Sequence, residues 1–185
     1  MPLPASPPRT ELHMRRIEMR GYRRDDGFYE IDGRVTDTKT HDLATPSGTQ
    51  VAAGMPIHDM WLRLVLDDTL LVHDVVAVSD ATPFAVCREA VAPMRAIVGE
   101  RIRSGWSAMV KAKLGGAVGC THLMELLIPL ATTAYQTLAE VRFSRPEPVD
   151  ANGRPLKIDS CYAYAATRDI VRRRWPMHHR DETKR

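Results

Sequence analysis

The chain has 185 residues, with 26 Lys and Arg against 23 Asp and Glu, a formal net charge of +3, and 44% hydrophobic residues. That balance describes one soluble globular domain with appendages, long enough to bury a core. It argues against a dedicated nucleic-acid protein. The basic excess gathers partly at the end, in Arg172-Arg173-Arg174, Arg180 and Lys184-Arg185, without a patch of stacking aromatics.

No apolar run approaches the roughly 18 residues of a membrane span. The first residues are proline-rich and lack the apolar stretch of a secretory signal. Three cysteines, Cys87, Cys120 and Cys161, are too few and odd in number for a disulfide framework. The expectation is a reduced, cytoplasmic protein with neither a membrane nor a nucleic acid as partner.

Residues 1–10 read as a flexible arm, 11–142 as a single α+β domain, and 143–185 as a wrapping segment with a basic tail. Glu11 to Arg20 alternates as a strand, with Ile17 and Met19 on one side. Asp25-Asp26-Gly27 is a turn. From Phe28 to Thr38, Tyr29, Ile31, Gly33 and Val35 share a face opposite Glu30, Asp32, Arg34 and Thr36. The hairpin and its exit are rich in charge: Arg23, Arg24, Asp25, Asp26, Asp32, Asp37, Lys39, His41 and Asp42. These make either a solvated sheet face or, in part, the wall of a polar pocket.

Ala44 to Gly54 is a loop. Met60, Leu62, Leu64 and Leu66 then face one way, with Trp61, Arg63 and Val65 opposite. After the turn Asp67-Asp68-Thr69 the chain returns. Leu70, Val72, Val76 and Val78 lie on one face, Leu71, Val75 and Ala77 on the other. Both faces of this hairpin are apolar, which places it centrally in a sheet.

Thr82-Pro83 marks a helix start, with Thr82 as cap. Phe84, Cys87, Val91, Met94 and Val98 keep helical spacing, and Pro93 kinks or breaks the run. Ile102 to Leu114 is a second helix, stopped by Gly115-Gly116. Thr121 to Leu138 is the longest, with Leu123, Leu127, Leu130 and Ala134 on its apolar face. Prolines and a glycine break Phe143 to Asp159, and Cys161 to Trp175 reads as a final helix. Strands followed by helices predict an α+β fold: an antiparallel sheet of about four strands with helices packed on one face.

Two cysteines fall at predicted helix starts. The positive end of a helix lowers a thiol pKa, and the thiolate is the form that binds metal or attacks an electrophile. The competing reading is that Cys87 and Cys120 are small buried hydrophobes.

The segment from Ile57 to Tyr135 resembles iron–sulfur scaffold proteins of the IscU and NifU type. The hairpin through Asp59-Met60-Trp61-Leu62-Arg63-Leu64, then Cys87, then Cys120-Thr121-His122-Leu123 carry the likeness. The longer stretch from His13-Met14-Arg15 through Gly21-Tyr22-Arg23-Arg24-Asp25-Asp26-Gly27 to Leu123 is similar to a bacterial family of unassigned function. The scaffold likeness implies an IscU-like core, here with an N-terminal hairpin and a C-terminal extension. The scaffolds carry a third cysteine before the sheet, where this chain has His58 and Asp59.

The resemblance therefore implies His58, Cys87 and Cys120 as a mixed ligand set for zinc or iron, with one position open. His122 and Asp59 are candidates for a fourth ligand or a proton carrier. Tyr22, Arg24, Asp26 and His41, additional to a bare scaffold, are candidates to line a small-molecule pocket. Arg24 would hold an anion there, and a tyrosine or histidine would move a proton.

The function expected first is a small-molecule enzyme of lyase or hydrolase type, acting on an anionic or aromatic substrate, with Tyr22, Arg24, Asp26 and His122 in catalytic roles. A metal or iron–sulfur carrier and a binding protein without chemistry are the alternatives. A homodimer is allowed.

Overall fold

The computed structural model describes residues 3–181. The first two residues of the expected arm, and Lys184-Arg185 of the basic tail, lie outside them.

Four strands form one antiparallel sheet. β1 (His13–Arg23) and β2 (Tyr29–Lys39) make the first hairpin. Its turn closes with Gly27 at φ 90°, a left-handed conformation that suits glycine. β3 (Leu43–Ala44) and β4 (Gln50–Val51) form a small separate ribbon in the predicted loop. β5 (Pro56–Leu66) and β6 (Val72–Ala81) complete the sheet in the order β1-β2-β5-β6, which leaves β6 at an edge and corrects the central place expected for this hairpin.

Alternation decides which face is buried. Tyr29, Ile31 and Val35 on β2 pair across to Leu66, Leu64 and Met60 on β5, and all six are buried. The predicted split of β5 holds for Trp61 and Arg63, exposed on the other side, but Val65 on that side is buried. On β6 it fails after Val72. Leu66 faces Val72 and Val65 faces Asp74, so His73 is an extra residue, a bulge. The bulge turns Val75 into the core and leaves Val76 and Val78 exposed.

The segment predicted as the first α-helix is a 3-10 helix over Ala85–Ile97. Pro93 supplies no N–H, and its ring would strike the carbonyl one α-turn back. A three-residue repeat brings Met94 and Ile97 into the core instead of Val98, which is exposed. Thr82 does not cap this helix: its hydroxyl donates to the Phe84 carbonyl.

Two α-helices follow, α1 (Trp106–Leu114) and α2 (Thr121–Thr137). Leu123, Leu127, Leu130 and Ala134 of α2 are fully buried, as their spacing predicts. Pro129 sits inside α2, where the Trp106 indole N–H donates to the Leu127 carbonyl at 2.9 Å.

α2 lies over β1, β2 and β5, and two glycines let it approach. A Cβ on Gly33 would stand 3.2 Å from a Leu130 methyl, and one on Gly21 would collide with the Thr137 hydroxyl. An α+β fold with a four-stranded antiparallel sheet followed by packed helices is thus observed.

The chain divides into two compact units, the first ending at Leu138. Within the second, α3 (Ala139–Phe143) and α4 (Asp169–Arg174) accompany a small core of Ile158, Ala166 and Val171 with Trp175 against it. The long final helix expected from Cys161 is split. Asp159, at φ 65°, accepts the Ala166 N–H on its side chain, and its own N–H donates to the Tyr164 carbonyl. That loop ends the early turn before α4 begins. No helix among the described residues is long and apolar enough to cross a membrane.

Candidate metal centre

Strand register builds the site. Arg15 on β1, Asp37 on β2 and His58 on β5 are directly opposed in one cross-strand row. The row lies on the covered face, and Asp37 is only 1% exposed. Its carboxylate accepts two hydrogen bonds from Arg15, Nε to Oδ1 and Nη2 to Oδ2, each 2.8 Å. His13 Nε2 stands 3.2 Å from Oδ1.

His58 Nδ1 lies 3.0 Å from Oδ2. The first turn of α2 then brings His122 over the row. His122 Nε2 is 4.0 Å from the same oxygen, and the two imidazoles lie 3.9 Å apart, tilted by 32°. Glu125, one turn further along α2, faces Arg15 at 3.6 Å.

Burial pushes the Asp37 carboxyl up. The Arg15 hydrogen bonds and charge, with His58, outweigh it and hold the group below the ordinary carboxylate range. Arg15 is raised in return, chiefly by its hydrogen bond to Asp37.

Asp37, His58 and His122 can coordinate a metal ion: one ligand atom from each lies within 4.8 Å of the others. The 3.0 and 4.0 Å separations bracket the roughly 3.3 Å edge of a tetrahedral zinc site with bonds of about 2.0–2.1 Å.

A cavity of about 440 Å³ opens beside the two histidines. Met60 lies at one side. Pro83, Phe84, Val86, Cys87 and Ala90 form a wall from the start of the 3-10 helix, and Gly119 to His122 close the other side.

The residues expected from the sequence separate into two places. His58 and His122 stand in the metal-capable group. Cys87 and Cys120 line the cavity next to it and are not members of that group. Cys87 N–H is already donated to the Phe84 carbonyl within the 3-10 helix. Cys120 is the N-cap residue of α2, with its sulfur 3.9 Å from His122 Nδ1. Burial raises that thiol. The His122 imidazole and the Leu123 and His122 N–H groups at the helix start overcome this and lower it. The sulfur closes no full capping hydrogen bond. Asp59 is turned to the other face, paired with Arg34 at 2.7 Å.

Tyr22, Arg24 and Asp26 lie at the opposite end of the first hairpin. The ten steps of β1 from His13 to Arg23 span about 33 Å. Tyr22 is exposed, and Arg24 is engaged by Asp26 and Glu30 in solvent.

Asp37 was not among the expected ligands, yet a signal for it exists. It continues the buried series Tyr29, Ile31, Gly33, Val35 and is the one buried charged residue of β2. Arg15 and His13 carry no such mark, because their strand is exposed along most of its length.

A family model described as a protein of unknown function (DUF2889) matches residues 13–136. The chain belongs to this family. The DUF2889 match runs from His13, the first residue around the Asp37 carboxylate, past His122 and through nearly all of α2, so it encloses the whole candidate site. No curated protein and no solved structure matches the chain.

Proposed function

We propose that this DUF2889 chain is a small-molecule enzyme, of lyase or hydrolase type, built on a mononuclear metal site. The observation that carries the reading is the convergence of two imidazoles on one oxygen of a buried carboxylate, at the edge of a cavity. Two histidines and a carboxylate suit zinc or iron and leave coordination positions free for water or substrate. A metal there acts as a Lewis acid toward a substrate oxygen, or lowers the pKa of a bound water.

Arg15 holds the carboxylate in orientation, as the outer partners of metal ligands do. Cys120, with its lowered thiol, and Cys87 are then groups of the substrate chamber rather than ligands. All three cysteines are unpaired, which suits a reducing cytoplasm.

The scaffold likeness favours a carrier instead. A carrier should present its ligands to an acceptor protein. Here Asp37 is buried, and the side chains of His58 and His122 are only 16% and 24% exposed. That enclosure supports the enzyme reading.

The test is metal analysis of protein purified without chelator or affinity tag, then loaded with zinc or cobalt. One metal ion per chain is expected, lost in Asp37→Asn and His122→Ala and kept in Cys161→Ser. Equal loss in all variants, or no uptake by the wild type, defeats the proposal. Brown protein with sulfide would favour the cluster carrier.

A further inference from the structure

We infer that the cavity takes a small aromatic molecule bearing a single anionic oxygen, a carboxylate or phenolate, whose ring lies against the 3-10 wall and whose oxygen reaches the metal. This rests on the metal reading above and names the ligand class for that site.

The chemistry of the lining carries it. None of the residues that line the cavity is Lys, Arg, Asp or Glu. Arg15, the nearest cation of the site, is spent on Asp37 with two hydrogen bonds. A phosphate or other polyanion is best held by several cationic side chains, and none lines this chamber; the N–H groups at the start of α2 are directed at the Cys120 sulfur. A cationic ligand would need a carboxylate or an aromatic cage, and the lining holds one aromatic carbocycle, Phe84. What remains is an apolar body with one polar end. The polar end belongs at His58 and His122, the one place where the wall meets the metal-capable group.

The wall argues for the body. Phe84 and Val86 face the cavity yet remain 42% and 63% exposed. Solvent-exposed apolar groups on the rim of a cavity gain by covering with an apolar ligand. A volume of about 440 Å³ lies in the range of small-ligand sites and admits a substituted ring. A ring stacked on Phe84 gains further from aromatic contact.

The wall is held at both ends. Its helix is anchored in the core by Met94 and Ile97 near its far end. The near end is held by the Ser47 hydroxyl donating to the Pro83 carbonyl at 2.9 Å. Hydrogen bonds of 3-10 geometry are poorer than those of an α-helix.

The experiment uses the full chain loaded with cobalt, whose visible spectrum reports ligand exchange. Benzoate is titrated against it, with phenyl phosphate and benzylamine as the polyanion and the cation. Benzoate should shift the cobalt bands and protect 84–90 from hydrogen exchange. The other two should bind about tenfold more weakly or not at all.

Phe84→Ala should load cobalt normally and weaken benzoate by about fivefold, the size of one aromatic contact. Val86→Asp, at an exposed position that tolerates change, should weaken it by charge repulsion. Cobalt uptake without benzoate binding overturns this inference alone. Phenyl phosphate binding as tightly as benzoate, or Phe84→Ala and Val86→Asp both binding like the wild type, also overturns it alone. Failure to take up cobalt overturns the metal reading and this inference with it.

Discussion

The first hairpin carries an arginine–carboxylate cluster at each end, and the two ends differ in what covers them. At one end Arg15 meets Asp37 with His58 and His13 around them, under the start of α2. At the other, Arg24 meets Asp26 and Glu30 beside the turn, in solvent. By residue type both are anion-binding candidates. Only the first is buried and brings several elements together. An exposed pair is screened by water and contributes little, whereas a buried carboxylate demands partners and holds them in place. The difference comes from α2, which starts over the Asp37 end and stops where Thr137 meets Gly21.

The comparison breaks most strongly if the cover is removed. Leu123→Ala, one residue beyond His122 and fully buried, should cost about 2–5 kcal/mol in urea unfolding. It should also loosen metal uptake, because the first turn of α2 places His122. A loss below about 0.5 kcal/mol would mean that α2 is not anchored at this end.

Asp37→Asn should cost about 1.5–3 kcal/mol, the range for hydrogen bonds to charged groups. It also yields a pH test. The folded Asp37 carboxyl lies below its unfolded value. Its contribution is therefore complete above the unfolded pKa of about 3.9 and is lost as pH falls through the lower folded value. The stability gap between wild type and Asp37→Asn should narrow as pH falls below about 4. A gap that widens in acid would contradict the assigned direction.

Gly21→Ala tests where the cover ends. The new methyl collides with Thr137, and the cost should be about 1–3 kcal/mol, relieved only in part by Thr137→Ala, whose Cβ would still stand 2.8 Å away. A cost below about 0.5 kcal/mol for Gly21→Ala would mean that α2 does not press on this position.

The smallest effect belongs to the open end. Arg24→Ala should leave both the urea midpoint and metal uptake as in the wild type, because water replaces its partners. Loss of metal uptake in Arg24→Ala would erase the distinction between the two ends.

Much of this architecture was legible without the structure. The alternation of Tyr29, Ile31 and Val35, and of Met60 through Leu66, is a local property of extended chain, and it sorted core from surface on both strands. The stripe of Leu123, Leu127, Leu130 and Ala134 did the same for α2. His58, Cys87, Cys120 and His122 were recognisable as groups with chemistry, and all four border one cavity.

Three things were settled only by tertiary structure. The bulge at His73 depends on how β6 meets β5, so Val75 could not be placed from its own strand. The three-residue repeat of Ala85–Ile97 depends on which of Ile97 and Val98 the core accepts. The ligand group depends on the register that sets Arg15, Asp37 and His58 in one row across 43 residues of chain, from 15 to 58, and on a helix that adds His122 from 64 residues further on. Periodicity reports which face a side chain takes along its own segment. It carries no information about which side chains from distant segments will share that face at one point, and a metal site is a coincidence of that second kind.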